Sequence, residues 1–486
     1  MVSSKKGIFA DRKHEMGFLD KALERSRPGS GQLLLVYGRR RIGKSKLLLR
    51  WAQRSRLAAT YWVAEKESAR LQRRKLYAQL LDVPVKQAPL FDSWTELWEA
   101  AAVLLRGKRR ILILDELPYA AEADPAMLSA LQHAWDRHLK STGVVMALCG
   151  SQVRAMEALM FHQSPLFGRL TGQWHLQPLP FSALRDFLPG WSAAERVGAY
   201  AIVGGVPAYL EWLDAGQTLT ENLRNVILSP GSMFVAEPTF LLYDEVREPQ
   251  NYLSVLKAIG AGQHGLDDIA RATLIDKAHL SSYLSRLQEL KLVQRRLPVT
   301  LLADETQTSR RGRYHLDDAY FRFYFRFLSP FHSTLAFEPD HIAREIQKGF
   351  SAFVGATAFE DLARQWIAQR GAAGELPFEP VAVGSHWSRR AQADIVAIAP
   401  ATQDILIGEC KWTSGKMDEQ DIKKLMEITG PLVLEDLPGR GAGWTAHYAA
   451  FSRAGFTAGA VNRMRKSRGR LVDLDQLDRA MADDGR

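Results

Sequence analysis

The stretch GQLLLVYGRRRIGKSKLLLRWA, residues 31–52, decides the fold of the first part of the chain. Its apolar run from Leu33 to Tyr37 has the length and continuity of a strand that is buried on both faces. A turn follows, and then a segment with helical spacing. The turn, residues 38–45, matches the pattern GxxxxGK[ST] at every position. Between a strand and a helix, this pattern indicates a phosphate-binding loop.

The residue types in this loop suit a nucleoside triphosphate. Glycines let backbone amides turn toward phosphate oxygens, and the N-terminus of the next helix adds positive potential. Lys44 would reach the outer phosphates and Ser45 would ligate magnesium, so ATP and Mg²⁺ are the expected cofactors. The alternative is a chance glycine-rich turn. The predicted cofactor-binding residues of the loop are Gly38, Arg39, Arg40, Arg41, Ile42, Gly43, Lys44, Ser45 and Lys46.

Two further apolar runs, RRILILDEL and TGVVMALCGSQ, end in polar residues, as parallel strands covered by helices do. They predict an α/β fold with a parallel sheet. Asp115 should emerge at the carboxyl end of its strand, where such sheets bind ligands. We expect Asp115 to hold magnesium and Glu116 to polarise the attacking water. A solvated loop carboxylate is the alternative for Glu116.

Composition narrows the class of protein. The 486 residues are 46% hydrophobic and 24% charged, which argues against a disordered, collagen-like or disulfide-stapled chain and predicts about three domains. A net charge of +10 favours acidic partners such as nucleic acid. Two distant cysteines, an N-terminus without the apolar core of a signal peptide and no bilayer-length apolar run predict a cytoplasmic protein outside the membrane.

Changes of pattern divide the chain into four predicted domains. After the P-loop core comes a helical stretch with breaks near Gly204 and Pro207, which suits a lid. Three helical segments and two short strands around a polar tip then resemble a winged helix-turn-helix. The last part reads as a helix, three strands, a second helix and a strand. The predicted domains are 1–178, 179–248, 249–330 and 331–486.

The last domain brings acidic residues and a lysine into neighbouring strands. Asp394 lies in QADIVAIA, and Glu409 and Lys411 share one face of the next strand. The pattern resembles the PD-(D/E)xK nuclease fold, that is, a restriction-endonuclease-like α/β domain, and Glu360 matches the extra helical carboxylate of that family. Asp394 and Glu409 would hold magnesium, and Lys411 would orient water. The alternative is a cross-strand ion pair.

Motifs spread along nearly the whole chain resemble the archaeal-type P-loop ATPases, which are related to the AAA+ and STAND classes. The closest resemblance is to bacterial and archaeal members with a winged helix and a nuclease-like C-terminal domain. The matching stretches are FADRKHE, YGRRRIGKS, LILDE, LCGSQ, PLFGR, GGVPAYL and YHLDDAYFRFYFRF.

The resemblance implies roles for further residues. Phe9 and Arg12 would border the adenine, and Ser151 would occupy the sensor position. Pro207, in a Gly-x-Pro motif, would close against the nucleotide, with a plain helix break as the alternative. Arg169 would complete the site of a neighbouring subunit or of its own chain. If Arg169 acts in a neighbouring subunit, the chain would self-associate through the ATPase core. The alternative for Arg169 is a surface arginine without a role at the nucleotide.

The winged-helix segment offers polar residues to DNA: Lys277, His279, Ser281, Ser282 and Arg286 on a helix, and Arg310, Arg311 and Arg313 beside the tip. Packing against the ATPase core is the alternative. The complete interpretation is an ATP-dependent switch that acts on nucleic acid, expected to be DNA, through a magnesium-dependent nuclease domain. The alternative is a nucleotide-controlled regulator or scaffold whose nuclease-like domain is inactive. A third possibility is that the C-terminal domain cuts RNA.

Overall fold

A computed structural model describes residues 8–246, 248–301, 309, 311–332, 334 and 337–483. The chain divides into two compact units. The first is Met1–Leu179 together with Val206–Tyr209, and the second is Pro180–Gly205 together with Leu210–Arg486. Within the described ranges, no helix combines the length and the hydropathy that crossing a membrane requires.

The first unit is built on a sheet of five parallel strands in the order β2-β3-β4-β1-β5. The predicted parallel α/β sheet is therefore present. The strands are β1 Gln32–Tyr37, β2 Ala59–Val63, β3 Arg109–Asp115, β4 Gly143–Gly150 and β5 Gly172–His175. The helices are α1 Lys13–Arg25, α2 Lys44–Ser55, α3 Ala69–Leu81, α4 Trp94–Leu105, α5 Leu117–Ala123, α6 Ala126–Arg137 and α7 Val153–Ala158.

Burial on both faces explains why the strands of this unit are continuous apolar runs. Side chains of β1 alternate between two clusters: Leu33 and Leu35 belong to one with α4 and α6, and Leu34 and Val36 to the other with α1 and α2. The carboxyl ends of β1, β3 and β4 lie at one edge of the sheet because the strands are parallel and adjacent. That edge carries the predicted ATP site.

The second unit begins with helices and a two-stranded antiparallel ribbon, β6–β7. Leu280, Leu284 and Leu287 form the buried face of the helix before the ribbon, as their spacing predicts. Residues 302–308 and Arg310, at the predicted tip, lie outside the described residues. The elements are α8 Leu184–Phe187, α9 Ala193–Val203, α10 Pro207–Trp212, α11 Leu219–Asn222, α12 Met233–Glu245, α13 Pro249–Gly260, α14 Leu266–Thr273, α15 Lys277–Glu289, β6 Val293–Arg296 and β7 Arg313–Leu316.

A second five-stranded sheet, in the order β12-β11-β10-β9-β8, follows. Strands β8 to β10 are antiparallel, whereas β10 to β12 are parallel. We call it the C-terminal sheet. Its strands are β8 Ala382–Trp387, β9 Gln392–Ala399, β10 Asp404–Lys411, β11 Thr445–Ser452 and β12 Arg470–Asp473, with helices α16 Ala319–Phe323, α17 Pro339–Val354, α18 Glu360–Ala372, α19 Glu419–Lys424, α20 Gly430–Glu435, α21 Ala458–Lys466 and α22 Leu474–Asp483.

The ribbon connection packs on the first strand of the C-terminal sheet. The Val299 amide donates to the carbonyl of Ser385 over 3.0 Å, and Trp387 Nε1 donates to the carbonyl of Arg311 over 2.9 Å. Thr300 Oγ1 is 2.8 Å from Nδ1 of the buried His386. The two predicted domains 249–330 and 331–486 therefore share a hydrogen-bonded interface.

Candidate functional site

The phosphate-binding loop has a backbone that only certain residues can adopt. Gly38 and Gly43 have φ values of +152° and +90°, and Arg41 also has a positive φ of +69°. A Cβ atom on Gly38 would lie 2.5 Å from the carbonyl oxygen of Leu176. Glycine is therefore required at position 38 by both conformation and space.

Lys44 is the first residue of α2, and its side chain folds back onto the phosphate-binding loop. Its side chain is 5% exposed, and Nζ donates to the carbonyls of Gly38 and Arg39 over 2.9 and 3.0 Å. Burial lowers the pKa of the Lys44 ammonium. That Lys44 reaches the outer phosphates stays a prediction.

Ser45 and Asp115, the two predicted magnesium ligands, are in contact. Ser45 Oγ donates to Asp115 Oδ2 over 2.5 Å, and the Tyr61 hydroxyl donates to the same oxygen over 2.6 Å. Burial acts to raise the pKa of Asp115, but these hydrogen bonds outweigh it and the pKa is lowered. Asp115 is therefore an ionised carboxylate beside a hydroxyl, a donor pair that suits Mg²⁺.

Glu116 follows directly and is fixed by Ser151. Its φ of +50° departs from the strand, and its Oε2 accepts from the Ser151 amide over 3.1 Å and from Ser151 Oγ over 2.9 Å. Ser151 is buried at the end of β4. The two residues that the sequence assigns to catalysis and sensing are thus hydrogen-bonded to each other.

Arg12 ties the N-terminal motif to the phosphate loop. Its guanidinium donates to the carbonyls of Ile42 and Gln177, each over 2.9 Å, and to Glu15 over 2.8 Å. Lys46 Nζ donates to the carbonyl of Ile8 over 2.8 Å. The ring of Phe9 lies 4.7 Å from the guanidinium carbon of Arg50. Whether Phe9 and Arg12 border adenine stays a prediction.

Val206–Tyr209 lies against the same loop. Pro207 Cγ is 3.9 Å from the position of a Cβ on Gly43, and the Ala208 amide donates to the carbonyl of Arg41 over 3.4 Å. The Arg41 guanidinium is 5.9 Å from the centre of the Tyr209 ring, and Arg40 donates to the hydroxyl of Tyr119 over 3.0 Å. The predicted lid motif and the loop are therefore neighbours.

Arg169 forms an ion pair with Asp136. Its Nε and Nη2 both donate to that carboxylate, over 2.9 to 3.2 Å, at a partly exposed site. A surface pair of this kind contributes little to stability. Its role toward nucleotide, in its own chain or in another, stays a prediction.

Three carboxylates of the C-terminal sheet and its covering helix interact. Asp394 Oδ2 accepts from the Cys410 amide over 3.0 Å, and Arg364 donates both to the Asp394 carbonyl and to Glu360 Oε2, over 2.7 and 3.3 Å. Burial and the charge of Asp394 raise the pKa of Glu360 to about 8. The same two causes raise the pKa of Glu409.

Lys411 is paired with a residue outside the predicted set. Its Nζ donates to Asp421 Oδ2 over 2.5 Å, near the start of α19. Glu409 and Lys411 lie two residues apart on β10, so they share a face of the sheet, as expected. The structure thus brings Asp394, Glu360 and Glu409 together and gives Lys411 a carboxylate partner of its own.

The donor set suits an ion that takes few protein ligands. Among the described residues, no group of three or more His, Cys, Asp or Glu side chains is placed to hold a metal ion. Mg²⁺ is typically bound through one or two carboxylates, with water and substrate phosphates as the other ligands. Asp394 and Glu409 repel each other without a cation, so the pair is chemically suited to Mg²⁺.

The polar residues of α15 have acidic neighbours. Lys277 pairs with Asp267 over 2.6 Å, His279 pairs with Asp276, and Arg286 pairs with Glu289 over 3.5 Å. Asp276 raises the pKa of His279. These pairs reduce the positive charge that α15 offers to DNA, and DNA contact by this helix stays a prediction.

Comparison with known proteins assigns the chain to a family. Residues 9–213 match the model described as an ATPase domain predominantly from Archaea. An uncharacterized protein of Methanocaldococcus jannaschii is 31% identical over 419 residues, which cover 86% of this chain and 90% of that protein. The chain belongs to this family of archaeal-type P-loop ATPases. It is an ATP-hydrolysing enzyme.

Other comparisons cover parts of this ATPase. Residues 324–425 match a model of archaeal and bacterial proteins of unknown function. The Walker-type ATPase PABY2304 of Pyrococcus abyssi has a TM-score of 0.47 at 18% identity, covering 67% of this chain and 98% of its own. The ORC2 protein of Aeropyrum pernix, in ADPNP and ADP complexes, has a TM-score of 0.44 at 15% identity, covering 71% and 98%.

Besides Asp421, two residues at these sites are absent from those that the sequence predicts. Tyr61 reaches Asp115 because β2 pairs with β3, and no local pattern reveals that neighbour. Arg364 follows Glu360 by four residues on α18, which is the helical spacing of an ion pair. That spacing was the available signal for Arg364.

Proposed function

We propose that this ATPase is a nucleotide-driven switch whose C-terminal sheet carries a magnesium-dependent nuclease for nucleic acid, expected to be DNA. The observation that carries the proposal is the convergence of Asp394, Glu360 and Glu409. Burial and the charge of Asp394 raise the pKa of Glu360 and of Glu409, so keeping these carboxylates near Asp394 has an electrostatic cost. Such a cost is characteristic of functional carboxylate clusters.

The residues of the C-terminal site have separate tasks. The Cys410 amide fixes the carboxylate of Asp394, and Arg364 fixes Glu360 relative to it. Asp394 and Glu409 would hold Mg²⁺, which supplies polarisation of the phosphodiester and acidifies water. Lys411 would neutralise charge on the phosphate after leaving Asp421.

The ATPase site supports the other half of the proposal. Glu116 would accept a proton from water, and its hydrogen bonds from Ser151 support this role because they fix its carboxylate. Ser45 and Asp115 would hold Mg²⁺. Helix α10 starts at Pro207, beside the loop, and continues to Trp212 in the second unit. We propose that this helix communicates the nucleotide state along the chain.

A nuclease assay on the Asp394→Ala variant tests the proposal. Plasmid, linear, single-stranded and RNA substrates are incubated with Mg²⁺ and the purified chain. We expect cleavage by the wild type and a loss of at least about 100-fold in the variant, because one carboxylate ligand is gone. Asp404→Ala is the matched control, since Asp404 starts the neighbouring strand β10 and pairs with His447. Equal cleavage by wild type and Asp394→Ala would contradict the assignment.

The Lys411–Asp421 pair favours a second candidate, a nucleotide-controlled regulator with an inactive nuclease-like domain. An ammonium held by a carboxylate is less available to a phosphate. Intact ATP turnover together with no cleavage of any of the four substrates would select this function.

A further inference from the structure

A cavity of about 640 Å³ lies between the ribbon and the C-terminal sheet, wholly within the second unit. We call it the arginine cavity. Glu360 and Asp394 line it, so it opens on the carboxylates of the proposed nuclease site. The arginines that line it are Arg296, Arg313, Arg322, Arg326 and Arg364.

The positive charge of the arginine cavity is incompletely compensated. Three of its arginines share the carboxylate of Asp361, at distances of 2.6 to 3.9 Å, and one of them, Arg364, also pairs with Glu360 over 3.3 Å. Arg313 and Arg326 form no ion pair in the part of the chain that the structure describes, and Arg313 lies 4.9 Å from the centre of the Trp387 ring. The buried Nε of Arg322 has no hydrogen-bond partner among those residues. Donors are therefore left for an anion.

Two stacked histidines lie beside the same arginines. The rings of His264 and His315 lie 4.2 Å apart on the wall of the cavity. Burial, followed by His264 and the arginines Arg296, Arg313 and Arg322, lowers the pKa of His315 to about 2. Burial disfavours any charge at His315, and the arginines add a repulsion that acts only on a cation, whereas they would attract an anion.

The basic lining continues beyond the cavity. A second depression, of about 960 Å³, shares Gly262, His264, Arg313 and Trp387 with it. It adds Arg311 and Arg389 to the path, together with Arg390, which is paired with Glu435 and Asp436, and it is also lined by Asp268 and Asp436. Each volume lies within the range of about 300–1,000 Å³ that holds a small ligand, so the two in sequence exceed what one mononucleotide requires.

We infer that this path binds the phosphate backbone of a single nucleic-acid strand and leads it to Glu360 and Asp394. The inference rests on the proposed nuclease function and names its substrate form. The cavity is lined by the aromatic rings of Phe353 and Trp387 as well as by arginines. Arginine and aromatic side chains together are the usual composition of single-strand sites.

The inference gives the ribbon a different role. The sequence predicts a wing that contacts DNA phosphates, whereas here Arg313 of the ribbon lines the arginine cavity. Arg313 starts β7 and stacks on Trp387 of the C-terminal sheet, and the Arg311 carbonyl accepts from the same tryptophan. Arg313 thus lines the arginine cavity. Its phosphate contacts would be made on the way to the carboxylates.

Strand binding by the full chain, without metal or ATP, tests the inference. The probe is a fluorescein-labelled strand of twelve thymidines in EDTA, followed by fluorescence anisotropy. In Arg313→Ala/Arg326→Ala we expect the Kd to rise by at least about 10-fold. The slope of log K against log salt should become shallower by about 0.7 for each phosphate that the variant no longer neutralises. Arg224→Ala/Arg344→Ala, which removes two exposed arginines of the same unit, should bind as the wild type does.

A charge-preserving variant guards against misfolding. Arg313→Lys/Arg326→Lys should keep most of the affinity and the salt slope of the wild type. Wild-type affinity in the alanine variant would overturn the inference, and so would displacement of the strand by an equal concentration of thymidine monophosphate or of a twelve-base-pair duplex.

The binding test and the cleavage test distinguish failure of the inference from failure of the proposed nuclease function. Strand binding that depends on Arg313 and Arg326, without cleavage in Mg²⁺, supports the inference and removes the nuclease function. Cleavage that is unchanged in the alanine variant keeps the nuclease function and overturns the inference.

Discussion

At the scale of single residues, Asp115 accepts hydrogen bonds from two parts of the chain, Ser45 of the phosphate loop and Tyr61 of β2. The loop from Gly38 to Ser45 is contiguous, so the chain itself brings its residues together. Asp115 follows from the rule that parallel strands present ligands at their carboxyl ends. The position of Tyr61 depends instead on which strand lies beside β3. The sequence of this chain alone contains no local signal for that pairing.

Glu116→Gln should separate hydrolysis from binding. The amide keeps the shape of the side chain and one acceptor, but it cannot take a proton from water. We expect ATP turnover to fall by about 10²–10⁴-fold while ATP affinity changes little. Turnover by phosphate release and affinity by titration with a fluorescent nucleotide are the two measurements. Glu122→Gln, a residue on α5, is the control. Normal turnover in Glu116→Gln would remove the catalytic role of Glu116.

At the scale of elements, apolar runs located the buried strands and helical spacing located α15, because each pattern reflects burial within the element itself. The packing of the ribbon on β8 was not predicted. It depends on Val299 and Trp387 meeting partners about 80 residues away, at Ser385 and Arg311. The sequence periodicity of the ribbon and that of β8 do not indicate that these two elements contact each other.

Two glycine substitutions in helices should have opposite effects on stability. A Cβ on Gly260, at the end of α13, would lie 2.4 Å from Cβ of Phe325, so Gly260→Ala should destabilise by about 1–3 kcal/mol. A Cβ on Gly17, within α1, meets nothing within 4 Å, so Gly17→Ala should stabilise by about 0.5–1 kcal/mol. Calorimetric unfolding measures both. A stabilised Gly260→Ala would show that α13 packs differently.

The stacked histidine pair should make the second unit less stable in acid. His315 stays neutral in the folded protein, since its pKa is about 2, but it takes a proton near pH 6.5 once unfolded. The unfolded state therefore binds more protons, and the free energy of unfolding should fall as the pH decreases from about 7.5 to 5. Urea titrations should show a smaller fall in His315→Gln. The exposed His341→Gln is the control, and an equal fall in both variants would contradict the cause.

At the scale of the whole molecule, the sequence predicts four domains, whereas the packing of the chain groups it into two units. The predicted boundary at residue 178 lies next to Leu179, the end of the first unit's main segment. That boundary is visible in the sequence because the strand-and-helix alternation ends there. The grouping of the later segments depends on long-range pairs such as Arg196 with Asp478, which no composition shift records.

Nucleotide should stabilise the first unit, which contains the phosphate loop. A ligand that binds the folded state at 100 times its Kd stabilises it by about 2.7 kcal/mol. We expect a non-hydrolysable ATP analogue with Mg²⁺ to raise the calorimetric midpoint of the first unit, and Lys44→Ala to abolish that rise by removing the ammonium from the phosphate loop. Lys108→Ala, in an exposed turn, is the control. An unchanged rise in Lys44→Ala would place the nucleotide elsewhere.

The ion pairs of Asp478 determine where the chain can be truncated. Arg185 and Arg196 both pair with that buried carboxylate on α22, although they precede it by almost 300 positions. A polypeptide beginning at residue 331 would lack both arginines and leave the Asp478 carboxylate buried without a counter-charge. The loss of the pairing should reduce the free energy of unfolding by about 3–5 kcal/mol. It would also strip Val299 from the apolar layer of the C-terminal sheet. Truncation intended to isolate the carboxylate cluster should therefore begin at residue 180.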